Sequence, residues 1–209
     1  MLKMESKFIS YISRLKEALE NLEESKINEL YYEIKKRIDT NFSIHLIGNG
    51  GSAANASHIA GDFTKTFMML GLRLNIFCAS DNSCYLTAAS NDIDYADVYS
   101  TMVDVKFLKG DLIVYFSGSG NSINLVKCAQ RAKKLGIKQV GIVGYNGGRI
   151  KQLVDIPIHI NINDMEISED VQLIVFHYIK QNFCNKFEKD EKSLISNKYD
   201  KRVIEDIVS

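Results

Sequence analysis

The chain has 209 residues, 45% of them hydrophobic and 25% charged, which is enough for one globular α/β domain with a sizeable core. Its 26 Lys and Arg residues balance its 26 Asp and Glu residues, so charge gives no reason to expect a nucleic-acid or membrane partner. No apolar run reaches the roughly 18 residues of a transmembrane helix, and the N-terminal segment is too mixed in charge for a signal peptide, which together predict a cytoplasmic protein.

Residues 4–39 carry apolar side chains at helical spacing, which predicts two helices broken near residues 24–26. The polar faces of these helices are rich in Lys and Glu. Helices of this kind ahead of a sheet domain commonly pack on a neighbouring subunit. Residues 1–39 are therefore predicted to be a helical segment for oligomer packing.

From residue 42 onward, short apolar segments alternate with helical ones. The predicted strands are residues 42–47, 72–79, 111–116, 139–143 and 156–160. The predicted helices are residues 52–67, 85–89, 95–106, 124–135 and 166–187. This order predicts an α/β fold with a doubly wound, mostly parallel five-stranded sheet and helices on both faces. Residues 40–187 would form that domain, and residues 188–209 a charged C-terminal extension.

The four cysteines give no sign of a disulfide framework or of a metal-binding CxxC pair. They are predicted to be reduced thiols, as is usual in the cytosol. The residues are Cys78, Cys84, Cys128 and Cys184.

Two loops rich in small residues follow predicted strands and precede predicted helices. In the first, residues 48–52 (GNGGS), glycines let backbone N–H groups approach a ligand, and the helix start adds partial positive charge. This loop has neither the Gly-Lys-Ser/Thr of a Walker loop nor the third glycine of a dinucleotide-binding loop. Alone, it could equally be a tight turn between a strand and a helix.

The second loop, residues 117–122 (SGSGNS), brings several hydroxyl and N–H groups to one point. Many donors with little bulk suit a phosphate, and the lack of a lysine suits a phosphoester that is held rather than a phosphoryl group that is transferred. Ligands of such sheets bind at the carboxyl ends of the strands, where both loops lie. The predicted phosphate-binding residues are Asn49, Gly50, Gly51, Ser52, Ser117, Gly118, Ser119 and Ser122.

Beyond the loops, several stretches resemble the sugar isomerase (SIS) domain and, within it, the phosphoheptose isomerase family. These are GNGGSAANASHIAGDF (48–63), LTAASNDIDY (86–95), FSGSGNSINLVKCAQRAKKLGI (116–137), GYNGGRI (144–150) and VQLIVFH (171–177). The resemblance implies a homotetramer whose active sites are shared between subunits. It also implies an aldose–ketose isomerisation of a phosphosugar through an enediol, which supplies heptose for surface polysaccharide.

The resemblance further implies one divalent metal per active site, commonly zinc. In the family, a first helix carries His-x-x-x-Glu, and the last long helix carries Gln with His eight residues later. These positions fall on His58, Asp62, Glu169 and His177. The resemblance makes all four metal ligands, and makes Asp62, Glu169 and His177 the catalytic acid and base groups.

The spacing of these residues is consistent with that assignment. His58 and Asp62 are four residues apart and share one helical face, as do Glu169 and His177 two turns apart. Two imidazoles with carboxylate oxygens suit zinc, without excluding iron, manganese or nickel. Moving a proton between adjacent carbons needs a base near neutral pKa and an acid, which His177 and a carboxylate can provide. The alternative is that both histidines only pack between helices.

The chain departs from the family pattern at several of these positions. Asp62 stands where the family usually has Glu, which withdraws the carboxylate by about 1–1.5 Å. Glu169 stands in place of Gln and adds a negative charge, so Glu169 could be the base instead of Asp62. Gly118 replaces a Thr, and Thr66 and Ile167 replace arginines. The sequence leaves open which carboxylate is the base.

Three functions follow from these observations. The first is isomerisation of D-sedoheptulose 7-phosphate to D-glycero-D-manno-heptose 7-phosphate, with Asn49, Asp92 and Glu166 as contacts to sugar hydroxyls or, alternatively, as loop and cap residues. The second is isomerisation of another phosphosugar, motivated by the altered pocket. The third is a non-catalytic regulator, like the SIS relative that associates with the replication initiator. That relative lacks the last-helix His, so His177 favours an enzyme.

Overall fold

The fold alternates strands with helices, and a computed structural model describes it for residues 7–189. The helices are α1 (Phe8–Glu20), α2 (Glu24–Thr40), α3 (Gly50–Met69), α4 (Ser83–Asp92), α5 (Val98–Lys106), α6 (Ile123–Lys134), α7 (Gly148–Leu153) and α8 (Met165–Lys189). The strands are β1 (Ser43–Gly48), β2 (Asn75–Cys78), β3 (Leu112–Ser117), β4 (Lys138–Val143) and β5 (Ile156–His159). The predicted C-terminal extension, residues 188–209, lies outside the described residues except for 188 and 189, which end α8.

All neighbouring strands are parallel, in the order β2-β1-β3-β4-β5. The chain moves outward from β1 to β2 and then returns to the other side of β1 for β3. The winding direction therefore reverses between β1 and β3, and the loops after these two strands open a crevice at that point. The predicted doubly wound parallel sheet is confirmed.

Helices cover both faces of the sheet and form two hydrophobic layers. Along β3, Leu112, Val114 and Phe116 pack into the layer with α1, α2, α3 and α8, whereas Ile113 and Tyr115 pack into the layer with α4 to α7. Every residue of β3 is buried. A central parallel strand of this kind is apolar on both faces, which is why its sequence is one continuous apolar run.

Some boundaries differ from the predicted ones. The first two helices are separated at residues 21–23, because Asn21 already caps α1 with backbone bonds to its last turn. Strand β2 has only four residues, since it is an edge strand that pairs with β1 alone. Helix α7 was not predicted, because its six residues are too few for a helical period to be recognised.

The N-terminal helices pack on the sheet domain of their own chain through Ala18, Leu30 and Ile34. The start of α1 leaves other apolar side chains exposed, among them Phe8 and Ile9. Within residues 7–189, no helix combines the length and apolar character needed to cross a bilayer. None of the four cysteines, all of which lie within residues 7–189, forms a disulfide.

The amino-terminal end of the sheet holds a buried polar network around Asp111. Its carboxylate accepts hydrogen bonds from the N–H groups of Ser43 at 2.9 Å and Leu108 at 2.8 Å, and it pairs with His45 Nε2 at 3.0 Å. Arg37 donates to the Asp111 carbonyl at 3.1 Å. This network ties α2, β1 and the entry to β3 together, at the end of the sheet opposite the crevice.

Candidate active site

The two small-residue loops lie side by side, because Gly48 at the end of β1 is paired in register with Phe116 near the end of β3. Between them and the start of α8 is a cavity of about 310 Å³. Every residue predicted to bind phosphate lines this cavity: Asn49, Gly50, Gly51, Ser52, Ser117, Gly118, Ser119 and Ser122. The structure thus brings together two loops that are about 70 residues apart in the sequence.

The first loop brings backbone close to the cavity because it has no side chains in the way. A Cβ on Gly48 would lie 2.6 Å from the Ser52 carbonyl, so the sharp turn from β1 into α3 requires glycine there. Gly50 begins α3 with φ 54°, a left-handed conformation that favours glycine. The first residues of the 20-residue α3 line the cavity, so the helix dipole favours an anion there.

The second loop is held in shape by its own serines. The Ser117 hydroxyl accepts from the Gly120 N–H at 3.0 Å, and the Ser119 hydroxyl accepts from the Asn121 N–H at 3.2 Å. Each hydroxyl keeps its proton free to donate to a ligand. A Cβ on Gly118 would collide with the thioether of Met165, whose side chain fills the space beside Gly118.

Asn49 connects the first loop to the start of α6 rather than pointing a free amide at the cavity. Its Nδ2 donates to Asn124 Oδ1 at 2.9 Å, and Asn124 Nδ2 donates back to its Oδ1 at 3.0 Å. Tyr95 also donates to Asn49 Oδ1 at 3.0 Å, and Tyr99 donates to the Gly48 carbonyl at 2.9 Å. Sequence reasoning missed Asn124, Tyr95 and Tyr99. The matched stretches at 86–95 and 116–137 contain Tyr95 and Asn124, and were the available signal.

Asp92 and Glu166, the other predicted sugar contacts, are both exposed and do not line the cavity. Asp92 ends α4 and accepts from the Asn91 side chain at 2.8 Å. Glu166 lies in the first turn of α8. Their contacts with sugar hydroxyls stay predictions.

Glu169 enters the cavity from α8 and lies at the start of α3. Ser52 donates to Glu169 Oε1 at 3.3 Å, and the carboxylate occupies the space that a side chain on Gly51 would take. One turn after Ser52 on α3, Asn55 Nδ2 donates to the Glu169 carbonyl at 3.0 Å and to Gln172 Oε1 at 3.1 Å. The site predicted to bind phosphate therefore already contains one negative charge, at a helix end that favours it.

Two helical turns further along the same two helices, His58, Asp62 and His177 form a second group. One potential ligand atom from each lies within 4.8 Å of the others, and the two histidine Nε2 atoms are 3.2 Å apart. His58 is exposed, while Asp62 and His177 are partly buried. Lys180 forms an ion pair with the Asp62 carboxylate. Glu169, the fourth predicted metal ligand, contacts the loops instead of joining this group.

The surroundings of His177 favour the neutral form of its imidazole. Partial burial lowers the pKa of His177 below its ordinary value of 6.5, and the charge of Lys180 lowers that pKa further, against the opposing effect of Asp62. A neutral imidazole can bind a metal ion or accept a proton.

The three residues fit a divalent cation. Two nitrogen ligands, each about 2.0–2.1 Å from a tetrahedral zinc ion, stand about 3.3 Å apart. The observed 3.2 Å between the Nε2 atoms of His58 and His177 matches this spacing. With Asp62 as a third ligand, the set resembles catalytic zinc sites, which keep one position open for substrate.

Comparison with known proteins agrees with this architecture. The SIS domain family matches residues 7–144, a segment that includes both loops, His58 and Asp62. Among curated relatives, a phosphoheptose isomerase from Helicobacter pylori is 29% identical over 88% of this chain and 97% of its own length. Another, from Aliarcobacter butzleri, is 31% identical over 85% of this chain and 94% of its own length.

Solved structures show the same fold. The phosphoheptose isomerase from Neisseria gonorrhoeae superimposes with a TM-score of 0.75, at 24% identity, over 83% of this chain and 93% of that protein. Sequence identity above 30% over most of both chains, together with the SIS match, settles the family. The chain belongs to the phosphoheptose isomerase family of SIS-domain proteins, and it is a phosphosugar isomerase.

Proposed function

We propose that this protein converts D-sedoheptulose 7-phosphate to D-glycero-D-manno-heptose 7-phosphate. The observation that carries the proposal is the placement of the loop-lined cavity and the His58–His177 pair along the same two helices. The names of the curated relatives support the same substrate. The loops would hold the phosphate, and the sugar would extend from them toward the histidines.

The distance between the two ends of the site favours a long substrate. The eight residues from Gly50 to His58, and the eight from Glu169 to His177, each correspond to about 12 Å along a helix. With carbon–carbon bonds of about 1.5 Å, an extended seven-carbon sugar places C1 about 9–10 Å from its phosphorus. A phosphate on the loops therefore leaves C1 and C2 within reach of the histidine pair.

Converting the ketose to the aldose moves one proton from C1 to C2 and another from O1 to O2. Asp62 and His177, which lie at that end of the site, would act as the acid–base pair. Glu169 lines the cavity at the loops, where it would accept hydrogen bonds from the sugar hydroxyls nearest the phosphate. If Glu169 were instead the base, the sugar would have to bind closer to the loops.

A divalent cation such as zinc, held by His58, Asp62 and His177, would act as a Lewis acid that polarises the carbonyl and stabilises the enediolate. The chain's own residues position the sugar for this chemistry. The α3 N–H groups and the loop hydroxyls fix the phosphate, and fixing the far end of a substrate contributes to the rate through orientation.

The proposal also covers the location, the subunit assembly and the pathway of the enzyme. The family resemblance supports a cytoplasmic homotetramer with active sites shared between subunits, working in heptose supply for surface polysaccharide. The exposed apolar residues at the start of α1 are suited to subunit contacts.

A second phosphosugar substrate is the main alternative. Met165 fills the place beside Gly118, and Glu169 adds a charge to the cavity, so the pocket differs from the family pattern. A purely regulatory role is less well supported, because His58 and His177 face each other in an arrangement that packing alone does not require.

The test is turnover by the purified full-length chain. With zinc, manganese, nickel or iron(II) added, sedoheptulose 7-phosphate should give the aldose heptose phosphate, followed by NMR. His177→Gln should lower kcat at least about a hundredfold, because it removes a group proposed both as a metal ligand and in acid–base catalysis, while Tyr178→Phe, an exposed neighbour on α8, should not.

Two outcomes would contradict the proposal. One is the absence of turnover with every metal tried. The other is His177→Gln activity within about tenfold of wild type, or 1.4 kcal/mol in the barrier. Faster turnover of a pentose or hexose phosphate would favour the alternative substrate.

A further inference from the structure

Lys180 forms an ion pair with a residue of the histidine cluster. It lies three residues after His177 on α8, nearly one turn on, and its ammonium group donates to Asp62 Oδ2 on α3. The side chains of Lys180 and Asp62 are 22% and 21% exposed, so water screens the pair only in part. The carboxylate that would serve as metal ligand is thus already paired with a cation of the protein.

The charges of the cluster do not favour binding of a metal ion in addition to Lys180. The Asp62 carboxylate and the Lys180 ammonium cancel each other's charge. A divalent ion would therefore meet donors of the right kind and spacing, but without net negative charge. It would also lie close to the positive charge of Lys180, which repels it.

We infer that Lys180 and a divalent cation compete for Asp62, so that Lys180 sets how readily the His58–Asp62–His177 cluster takes up metal. Lys180 is then a positioning residue that acts through Asp62. This inference rests on the metal site of the proposed function, but not on which sugar is isomerised.

The chemistry of lysine suits a competitor that can be displaced. Its charge sits on a flexible four-carbon stem and is strongly hydrated, so the ammonium group can move into water when a metal takes the carboxylate. Asp62 itself has little freedom, because its side chain is short and lies one turn from His58 on the same helix. Metal uptake is therefore expected to be coupled to movement of Lys180, not of Asp62.

Cobalt(II) binding to the full-length chain tests the inference, since the visible absorption of the ion reports both affinity and coordination. Lys180→Gln removes the charge while keeping a polar side chain, and should tighten cobalt binding by about tenfold or more, the size of effect typical of groups that contact metal ligands. Lys180→Arg keeps the charge and should bind cobalt as the wild type does. Lys186→Gln removes an exposed charge from the same helix and is the matched control.

Other results would overturn the inference that Lys180 competes with the metal for Asp62. If Lys180→Gln binds cobalt more weakly than the wild type, Lys180 supports the metal-bound carboxylate instead of competing for it. Equal affinity in a variant with an unchanged melting temperature would remove any role of Lys180 in metal uptake. No cobalt absorption in the wild type or in any variant would refute the metal site and the inference together. Sugar turnover measured separately would still decide the proposed activity.

Discussion

Glu169 shows that helical spacing alone does not determine the geometry of a site. It is eight residues from His177, so the two share a face of α8, and the family pattern assigns both to one metal. Eight residues are also about 12 Å along the helix axis. In the structure, Glu169 meets Ser52 at the loops, while His177 meets His58 further down. Spacing predicts a shared face, but side-chain direction decides whether two groups meet.

The charge of Glu169 leads to a prediction for Glu169→Gln. Removing a carboxylate from the cavity that receives the phosphate should lower KM by about threefold to tenfold, because like charges at close range disfavour binding. The value of kcat should stay within about threefold if Asp62 and His177 move the protons. Steady-state kinetics at fixed metal concentration measure both.

Glu17→Gln, an exposed change on α1, controls for net charge. A fall in kcat of about a hundredfold or more in Glu169→Gln would make Glu169 the base, contrary to the mechanism proposed.

At the scale of elements, long segments were predictable and short ones were not. The continuous apolar run of β3 and the helical period of α6 reflect burial that extends over whole elements. Strand β2 and helix α7 have four and six residues, too few for either period to show. Met165 filling the space beside Gly118 depends on how α8 packs over the second loop, which local sequence does not encode.

The Asp111 network at the base of β3 leads to a prediction about stability and pH. Burial raises the pKa of Asp111, but hydrogen bonds from His45, Leu108 and Ser43 outweigh it and hold the pKa below the ordinary 3.8. Because the folded pKa is the lower one, this stabilisation is present above about pH 4 and is lost as the pH falls through the folded value.

Asp111→Asn should therefore lower the free energy of unfolding by about 1–3 kcal/mol at pH 7, the usual effect of removing a buried hydrogen-bonded partner. Urea unfolding at a series of pH values should show the difference from wild type shrinking below about pH 4. Asp39→Asn breaks an exposed ion pair with Lys35 and should cost about 1 kcal/mol or less. A difference that stays constant down to pH 3 would contradict the assigned role of the carboxylate.

For the whole molecule, the sequence predicted the sheet, its winding and the meeting of the two loops, because these follow from the order of elements and the rules of parallel sheets. The pairing of His58 with His177 also follows, once α3 and α8 are neighbours in one layer. Lys180 was not predictable, because its importance comes from its contact with Asp62 across 118 residues of chain. Contacts between elements that are distant in the sequence cannot be read from local sequence patterns.

The exposed face of α1 allows self-association of the whole molecule to be tested. The inner face is anchored to its own chain, since Tyr11 donates to Asp170 on α8 at 2.6 Å. On the outer side, Phe8, Ile9 and Ile12 are 73%, 65% and 39% exposed, an apolar surface that a partner subunit would cover. Replacing all three with Ser should reduce the mass in sedimentation velocity from that of the proposed tetramer to that of a dimer or monomer.

Loss of contact area at the subunit interface is the expected cause, so the triple variant should keep its far-UV circular dichroism while its melting temperature depends less on protein concentration than that of the wild type. The control is Val105→Ser, which removes an 80% exposed apolar side chain from α5 on the other face of the sheet. Val105→Ser should leave the mass unchanged, because a single exposed apolar residue is ordinary on a protein surface. A triple variant that still sediments as a tetramer would show that subunits associate through another surface, and a monomeric wild type would refute the tetramer itself.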